Sequence, residues 1–188
     1  MKKLITAALA AAALAAILPT SALADDPVTP KQGAVCNLYN LGWDGLKGFA
    51  GLAGSLASKP AAATFVDTAG DFLPNGKKEK VASTIGMWTG WLKQEKAGTY
   101  TFLCRQYNNG YADYCYSIWI NGEKCVEGRK GQTSFNVELA AGFNSVKIVV
   151  AANNSKRPLA ISYKKAGSVK DPKTFGPADM YYDDDEDE

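Results

Sequence analysis

Short apolar segments separated by turn residues run through most of the chain, and this pattern predicts β-strands rather than helices. Residues 98–107 and 111–120 are dense in β-branched and aromatic residues. The Asn121-Gly122 dipeptide that follows them is typical of a type I′ hairpin turn, in which both central residues need positive φ. Further strands are predicted at 33–41, 61–66, 81–92, 123–127, 133–139, 145–151 and 159–164. So many short strands favour an all-β fold, an antiparallel β-sandwich.

Two features interrupt this strand pattern. Gly90 lies inside the segment 81–92 and predicts a β-bulge there. In residues 42–60, apolar positions recur near helical spacing, but Gly45, Gly48, Gly51 and Gly54 would each weaken a helix by up to ~1 kcal/mol. A short helix or a packed loop is therefore expected near the N-terminus, and the polar, glycine-rich residues 67–80 are expected to form a loop.

Residues 1–24 have the pattern of a cleaved secretory signal peptide. Lys2-Lys3 precede an Ala/Leu-rich apolar run that is short for a membrane span, and Ala22-Leu23-Ala24 fits a cleavage site. No later stretch is apolar enough to span a bilayer, so no membrane span is expected after cleavage. The mature chain is predicted to be exported, to the periplasm, the cell surface or the medium. Its expected parts are a lead-in at 25–32, one domain at 33–182 and an acidic disordered tail at 183–188.

The charge balance disfavours nucleic acid as a partner. Without the two signal lysines, the chain has 19 basic and 19 acidic residues, and six of the acids form the terminal run 183–188. The remaining body has only a mild basic excess, and no nucleic-acid recognition motif accompanies it. The tail itself is most simply a solvated segment, with a calcium-collecting or partner-docking role as the alternative.

Four cysteines in an exported chain predict two disulfides. A hairpin centred on Asn109-Gly110 would place Cys104 opposite Cys115, so these two are predicted to pair. Cys36 and Cys125 are then left for the second bridge. Zinc is disfavoured because the sequence has no C-x-x-C motif and no histidine.

Two sequence motifs resemble the protective-antigen-type (PA-fourteen) domain. The first is W-x-G-x-L-x-x-x-x-x-G-x-Y-x-F at 88–102, and the second is I-W-I-N-G at 118–122. The late segments 139–150 and 175–181 also resemble the closing part of that domain. The resemblance covers roughly 33–182 and implies the β-sandwich module of anthrax protective antigen, fungal flocculins and adhesins, and some β-glucosidases.

In the flocculin-type and adhesin-type members, two consecutive aspartates hold a calcium ion that ligates sugar hydroxyls. The resemblance places the first of these on Asp113 and the second on Tyr114, which is a poor ligand. A different alignment places the motif on Asn108-Asn109-Gly110, which also suits a plain turn. Asn153-Asn154 would supply the later loop. Because anionic ligands are missing, calcium is expected to bind weakly if at all, with Asp113 as the only anionic metal ligand.

Aromatic stacking is a second route to sugar binding. Tyr107 and Tyr111 flank the predicted turn and are the best candidates for exposure. Strand alternation places Tyr116 in the core with Ile118 and Ile120, and Trp119 on the opposite face. Trp43, Trp88 and Trp91 are expected to be packing residues. The candidate ligand-binding residues are therefore Tyr107, Asn108, Asn109, Tyr111, Asp113, Asn153 and Asn154.

Catalysis is disfavoured because the chain has no histidine to act as a base and no evident pair of carboxylates. The sequence predicts a non-catalytic binding module for carbohydrate or glycoprotein in recognition or adhesion at the cell surface. The alternative is a structural or protein–protein module of an envelope or surface assembly, with a surface protein as partner. An ion bound by Asp113, Asn153 and Asn154 would favour the first, and a large apolar patch on one sheet face the second.

Overall fold

The computed structural model describes residues 30–40, 55–74, 85–106, 114–128, 131–152 and 158–183. Within these ranges, twelve strands form two antiparallel sheets. The strands are β1 (Lys31–Gln32), β2 (Ala34–Tyr39), β3 (Ala63–Asp67), β4 (Ile85–Gln94), β5 (Gly98–Gln106), β6 (Tyr114–Ile120), β7 (Glu123–Gly128), β8 (Gly131–Leu139), β9 (Gly142–Ala152), β10 (Leu159–Lys165), β11 (Lys173–Phe175) and β12 (Tyr181–Tyr182). The chain also forms short 3-10 helices at Leu56–Ser58 and Pro177–Asp179.

The larger sheet, sheet A, has eight strands, and the smaller one, sheet B, has four. In sheet A the order is β1-β12-β4-β9-β6-β7, with β2 pairing both β3 and β4. In sheet B the order is β11-β10-β5-β8. Each of the nine strands predicted from the pattern is confirmed within the described residues, and the predicted parts at 81–84, 107 and 111–113 lie outside them. The three unpredicted strands, β1, β11 and β12, are only two or three residues long, which is too short for alternation to be recognised.

One apolar core lies between the two sheets. Tyr116, Ile118 and Ile120 are buried in it, as the alternation predicts. Trp88 is fully buried there, which confirms its predicted packing role, and its Nε1 donates a hydrogen bond of 2.8 Å to the buried carboxylate of Asp67. The core also contains, from sheet A, Ala34, Cys36, Leu38, Leu92, Val126, Val146, Ile148, Val150 and Ala152 and, from sheet B, Tyr100, Phe102, Cys104, Leu139, Leu159, Ile161, Tyr163 and Phe175.

The turn prediction at Asn121-Gly122 is confirmed, because the two residues have φ of 51° and 82°. The bulge predicted at Gly90 is wrong. β4 pairs with β9 in unbroken register from Ile85 to Gln94, passing straight through Gly90. The glycine serves a close backbone approach instead: a Cβ there would lie 2.5 Å from the carbonyl oxygen of Tyr181. The register irregularity of sheet A lies between Ile118 and Trp119, opposite β7.

β5 and β6 do not form the predicted hairpin. β5 pairs with β10 and β8 in sheet B, whereas β6 pairs with β7 and β9 in sheet A. The connection between them therefore crosses from one sheet to the other. The disulfide predicted between Cys104 and Cys115 is wrong for this reason. Cys104 is buried between the sheets, and Cys115 packs in a separate apolar cluster on the far face of sheet A.

The second predicted disulfide, Cys36–Cys125, is also wrong. Cys36 lies on β2 and Cys125 on β7, with β4, β9 and β6 between these strands. Four strand spacings separate the two residues by about 19 Å, far beyond the reach of a disulfide. No disulfide joins the four cysteines in the described structure.

The terminal segments and much of the region 42–60 fall outside the description. The predicted signal peptide at 1–24, most of the lead-in and the acidic tail after Asp183 lie outside the described residues, as does Trp43. Of the expected short helix or packed loop, the described part is the 3-10 helix Leu56–Ser58. Among the described residues, no helix has the length and apolarity to span a membrane.

Candidate ligand-binding site

The sequence-predicted ligand residues lie in two connections outside the described residues. Tyr107, Asn108, Asn109, Tyr111 and Asp113 belong to the connection 107–113, and Asn153 and Asn154 belong to the connection 153–157. The strand ends that bound these connections are described. Gln106 pairs with Leu159 in sheet B, and Tyr114 pairs with Ala152 in sheet A. Both connections therefore start and finish at one end of the sandwich, which we call the loop end.

A metal-binding group is not found elsewhere in the described part of the chain. No three His, Cys, Asp or Glu side chains there converge in a way that could hold an ion. Whether Asp113 binds calcium thus stays a prediction.

With the described residues alone, the outer face of sheet A has a covered half and an open half. Toward the loop end, a second apolar cluster packs on this face beneath Leu56 of the 3-10 helix and Ala61. Its other members are Tyr39, Ile85, Met87, Cys115, Val149 and Ala151, with Trp119 against its edge. Because the covering segment buries these strands on both faces, this half of the sheet offers little accessible surface.

The open half contains a cleft of about 640 Å³, which we call the outer-face cleft. It is lined by Val35, Asn37, Thr89, Gly90, Trp91, Trp119, Gly122, Ser145, Val146, Lys147, Tyr182 and Asp183. A volume of this size lies within the usual range for small-ligand sites. It combines large aromatic surfaces with hydroxyl, amide and charged groups.

The cleft exists because two strands share one edge of β4. β2 pairs with the first half of β4, from Ile85 to Thr89, and β12 pairs with it at Trp91. Gly90 lies at the junction of the two. Since a side chain at Gly90 would collide with β12, the glycine allows Tyr182 and Asp183 to reach the cleft.

Aromatic rings stand on two strands that flank β9. Trp91 pairs with Ser145, and Trp119 pairs with Lys147, two residues further along β9. The ammonium of Lys147 lies 4.2 Å from the centroid of the Trp119 ring, which is a cation–π contact. This contact fixes the indole and the ammonium relative to each other in the cleft.

At the end of the cleft near Gly122, Asn121 and Asn144 bond to each other and to the backbone. Asn144 is 1% exposed, and its Oδ1 accepts hydrogen bonds from Asn121 Nδ2 and from the backbone N–H of Ala140, both at 3.0 Å. Asn121 Oδ1 in turn accepts from the backbone N–H of Ser145 at 3.0 Å. Two turns are thereby tied together beside the cleft.

Sequence reasoning missed the outer-face cleft. Alternation places Trp119 correctly on the face opposite the core, and Trp91, expected as a packing residue, instead lines the open cleft. The signal in the sequence was that both tryptophans lie at outward positions of strands. Whether they meet depends on β9 lying between β4 and β6, and that pairing is not readable from either strand alone.

The two cysteine thiols whose pKa is shifted are made less reactive by burial. Burial raises the pKa of Cys104 to about 12, so this thiol stays protonated at neutral pH and is a poor nucleophile. Burial also raises the pKa of Cys125, which is partly exposed at the edge strand β7.

No family model and no curated protein matches the sequence. Solved structures do match. A PA14 sugar-binding domain from an RTX adhesin is 23% identical, with a TM-score of 0.59, over 80% of this chain and 98% of that one. The epithelial adhesin 6 A domain from Candida glabrata, in complex with Galβ1-3GlcNAc, is 14% identical with a TM-score of 0.56, over 85% of this chain and 91% of that one. The PA14 domain of the antifreeze protein MpAFP is 18% identical with a TM-score of 0.51, over 85% of this chain and 96% of that one.

These comparisons establish the class of fold. The chain has a PA14-like β-sandwich fold, as the motif resemblance implied. The similar structures named here are described as binding or adhesion domains, or as a domain of an antifreeze protein, rather than as enzymes.

Proposed function

We propose that this protein is an exported, non-catalytic binding module that recognises carbohydrate or a glycoconjugate at the cell surface. Export is inferred from the signal-peptide pattern of residues 1–24. Placement at the surface or outside the cell is supported by the adhesin domains among the similar structures.

The observation that carries the proposal is the match to a sugar-binding domain over nearly its whole length. The chain covers 98% of the RTX adhesin domain, so it corresponds to that complete unit rather than to a fragment. A complex of the similar adhesin 6 A domain holds Galβ1-3GlcNAc. The cleft of about 640 Å³, with its tryptophans and polar groups, gives the present chain a surface of suitable chemistry.

The distribution of apolar surface favours a sugar over a protein partner. The large apolar side chains that are exposed among the described residues are Val66, Phe143 and Val169. They lie on β3, on β9 and in the segment between β10 and β11, so they are single residues on separate elements. A protein-binding face would be expected to present a contiguous apolar patch of several hundred Å².

A glycan array probed with the mature protein, with calcium and with EDTA, tests the proposal. Binding to a defined set of glycans is the expected result. Retention of the same set in EDTA would locate recognition outside a calcium site, whereas loss would support the ligand set around Asp113. An array without any bound glycan, together with specific capture of a purified surface protein, would contradict the proposal and favour the structural or protein–protein module.

A further inference from the structure

The outer-face cleft has the features of a sugar site that needs no metal ion. We propose that it binds a neutral pyranose ring, with the indoles of Trp91 and Trp119 at its sides and Lys147 and Asp183 bonding to sugar hydroxyls. This assignment deepens the proposed carbohydrate recognition and rests on it. It places the site in the open half of sheet A, away from the paired strand ends Tyr114 and Ala152 at the loop end.

The spacing of the two tryptophans suits a single sugar ring. Trp91 and Trp119 are separated by the width of β9 and by two residues along it. Two strand spacings and two residues of rise put their Cα atoms about 12 Å apart. A pyranose presents faces of C–H groups that pack against an aromatic ring, and its rim of hydroxyls needs hydrogen-bond partners. The cleft supplies both kinds of surface.

The charged groups of the cleft match hydroxyls better than they match an acid. Lys147, held over the Trp119 ring, donates hydrogen bonds, and the carboxylate oxygens of Asp183 accept them. Asp183 Oδ1 is buried and accepts no hydrogen bond from any other part of the described structure. Such an oxygen gains from a donor that a ligand brings, and hydroxyl groups are donors and acceptors at once. Because the cleft carries one positive and one negative group, an acidic sugar gains no net attraction there, whereas a neutral sugar can bond to both, so neutral sugars are favoured.

The cleft lies far enough from the loop end that substitutions can distinguish a sugar site in the cleft from one at the loop end. Lys147 precedes Ala152, the last residue of β9, by five residues. Five residues of strand span about 17 Å, so Lys147 lies well away from the strand end at which the connection 153–157 begins.

The experiment follows the indole N–H signals of ¹⁵N-labelled mature protein by NMR, in EDTA. The probes are methyl β-galactoside, methyl β-glucoside, methyl α-mannoside and lactose, with glucuronic acid as the acidic comparison. At least one neutral probe is expected to shift the Trp91 and Trp119 signals and to leave the signal of buried Trp88 in place. Single Trp→Phe substitutions assign the signals.

Variants then identify the residues that hold the sugar. Trp91→Ala, Lys147→Met and Asp183→Asn are each expected to lower the affinity about tenfold, the usual effect of losing a charged hydrogen bond or an aromatic contact. Lys164→Met is the matched control for Lys147→Met, because Lys164 lies on β10 of sheet B, outside the cleft lining. A combined Asp113→Asn, Asn153→Ala and Asn154→Ala variant controls for the loop end. Both controls are expected to keep wild-type affinity.

Any result other than those expected above contradicts the assignment of the sugar site to the outer-face cleft. If the loop-end variant loses the sugar while Trp91→Ala keeps it, recognition occurs at the loop end and the proposed function still stands. Array binding without any shift of the two indole signals leads to the same conclusion. If no probe and no array glycan binds, both proposals fail. Should Trp91→Ala not fold, Lys147→Met and Asp183→Asn decide the question, since both change polar groups at the cleft surface.

Discussion

The outer faces of the two sheets differ in chemistry although the strands behind them share one core. On sheet B, the outward side chains form short polar ladders: Thr99 donates to Glu138, and Thr101 donates to Asn136 at 2.8 Å. Glu138 and Asn136 are exposed, and the two threonines are half-buried. On sheet A, many of the outward side chains are aromatic or aliphatic. Those toward the loop end are covered by Leu56 and Ala61, and those toward the other end line the outer-face cleft.

This difference bears on where the proposed binding surface lies. A polar ladder of threonine, asparagine and glutamate keeps a sheet face soluble and stabilises it by a few tenths of a kcal/mol per pair. Tryptophans at partly exposed positions give no such benefit to solubility, and they are costly to leave accessible unless a ligand covers them. The functional surface is therefore expected on sheet A, and substitutions that disturb it should differ in effect from equivalent ones on sheet B.

The largest contrast is expected between two thiols, one inside sheet B and one at the edge of sheet A. Cys104 is fully buried with a pKa of about 12, and Cys125 is partly exposed. Iodoacetamide at pH 8 should alkylate Cys104 at least about 100-fold more slowly than Cys125, because so little of the buried thiol is ionised or accessible. Peptide mapping by mass spectrometry over a time course measures both rates, with urea-unfolded protein as the control. Equal rates in the native state would show that the inner face of sheet B is open.

The next largest effect is expected from Gly90→Ala in sheet A. A Cβ at this position would lie 2.5 Å from the carbonyl oxygen of Tyr181, so β12 must move away from β4. We expect a loss of about 2–3 kcal/mol in the free energy of unfolding, as for other overpacked sites. Gly70→Ala is the matched control, because a Cβ at Gly70 would meet no other atom within 4 Å. Urea unfolding measures both, and similar losses would show that the junction of β2 and β12 is not a fixed part of the cleft.

A third comparison uses one substitution on each sheet. Asn144→Ala removes a buried amide that bonds to Ala140 and Asn121, and it should cost about 2 kcal/mol because backbone groups are left unpaired. Asn136→Ala removes an exposed amide that bonds only one side chain in the described structure, that of Thr101, and should cost under about 0.5 kcal/mol. Chemical unfolding of both variants is the measurement. An equal cost would mean that the asparagine pair beside the cleft is no more important than a surface ladder.

The strands could be predicted from the sequence because they depend on local patterns. Alternation gives the faces of β6, and Asn121-Gly122 gives a turn, because positive φ at two successive residues needs such residues. Which strands pair is a different matter. The seven residues 107–113 that link β5 to β6 would serve equally in a long hairpin or in a crossing between sheets. That ambiguity produced the wrong disulfides.

The outer-face cleft could not be predicted for a related reason. Its two tryptophans belong to strands separated in space by β9, which occurs later in the chain than both. Tyr182 and Asp183 come from the end of the chain, where a two-residue strand carries no periodicity. Their meeting is decided by sheet order and by a close approach at Gly90, and the sequence shows only the glycine.

The smallest contrast, and the most specific to the cleft, compares a lysine on each outer face. Lys147→Met removes the ammonium that lies over Trp119, and a cation–π contact at a partly exposed site is worth about 0.5–1 kcal/mol. Lys164→Met, on β10 of sheet B, should change the free energy of unfolding by less than about 0.3 kcal/mol. Urea midpoints at low and high salt, at matched protein concentration, measure both. Equal changes in the free energy of unfolding for the two variants would mean that the Lys147 ammonium does not hold the Trp119 indole in place in the cleft.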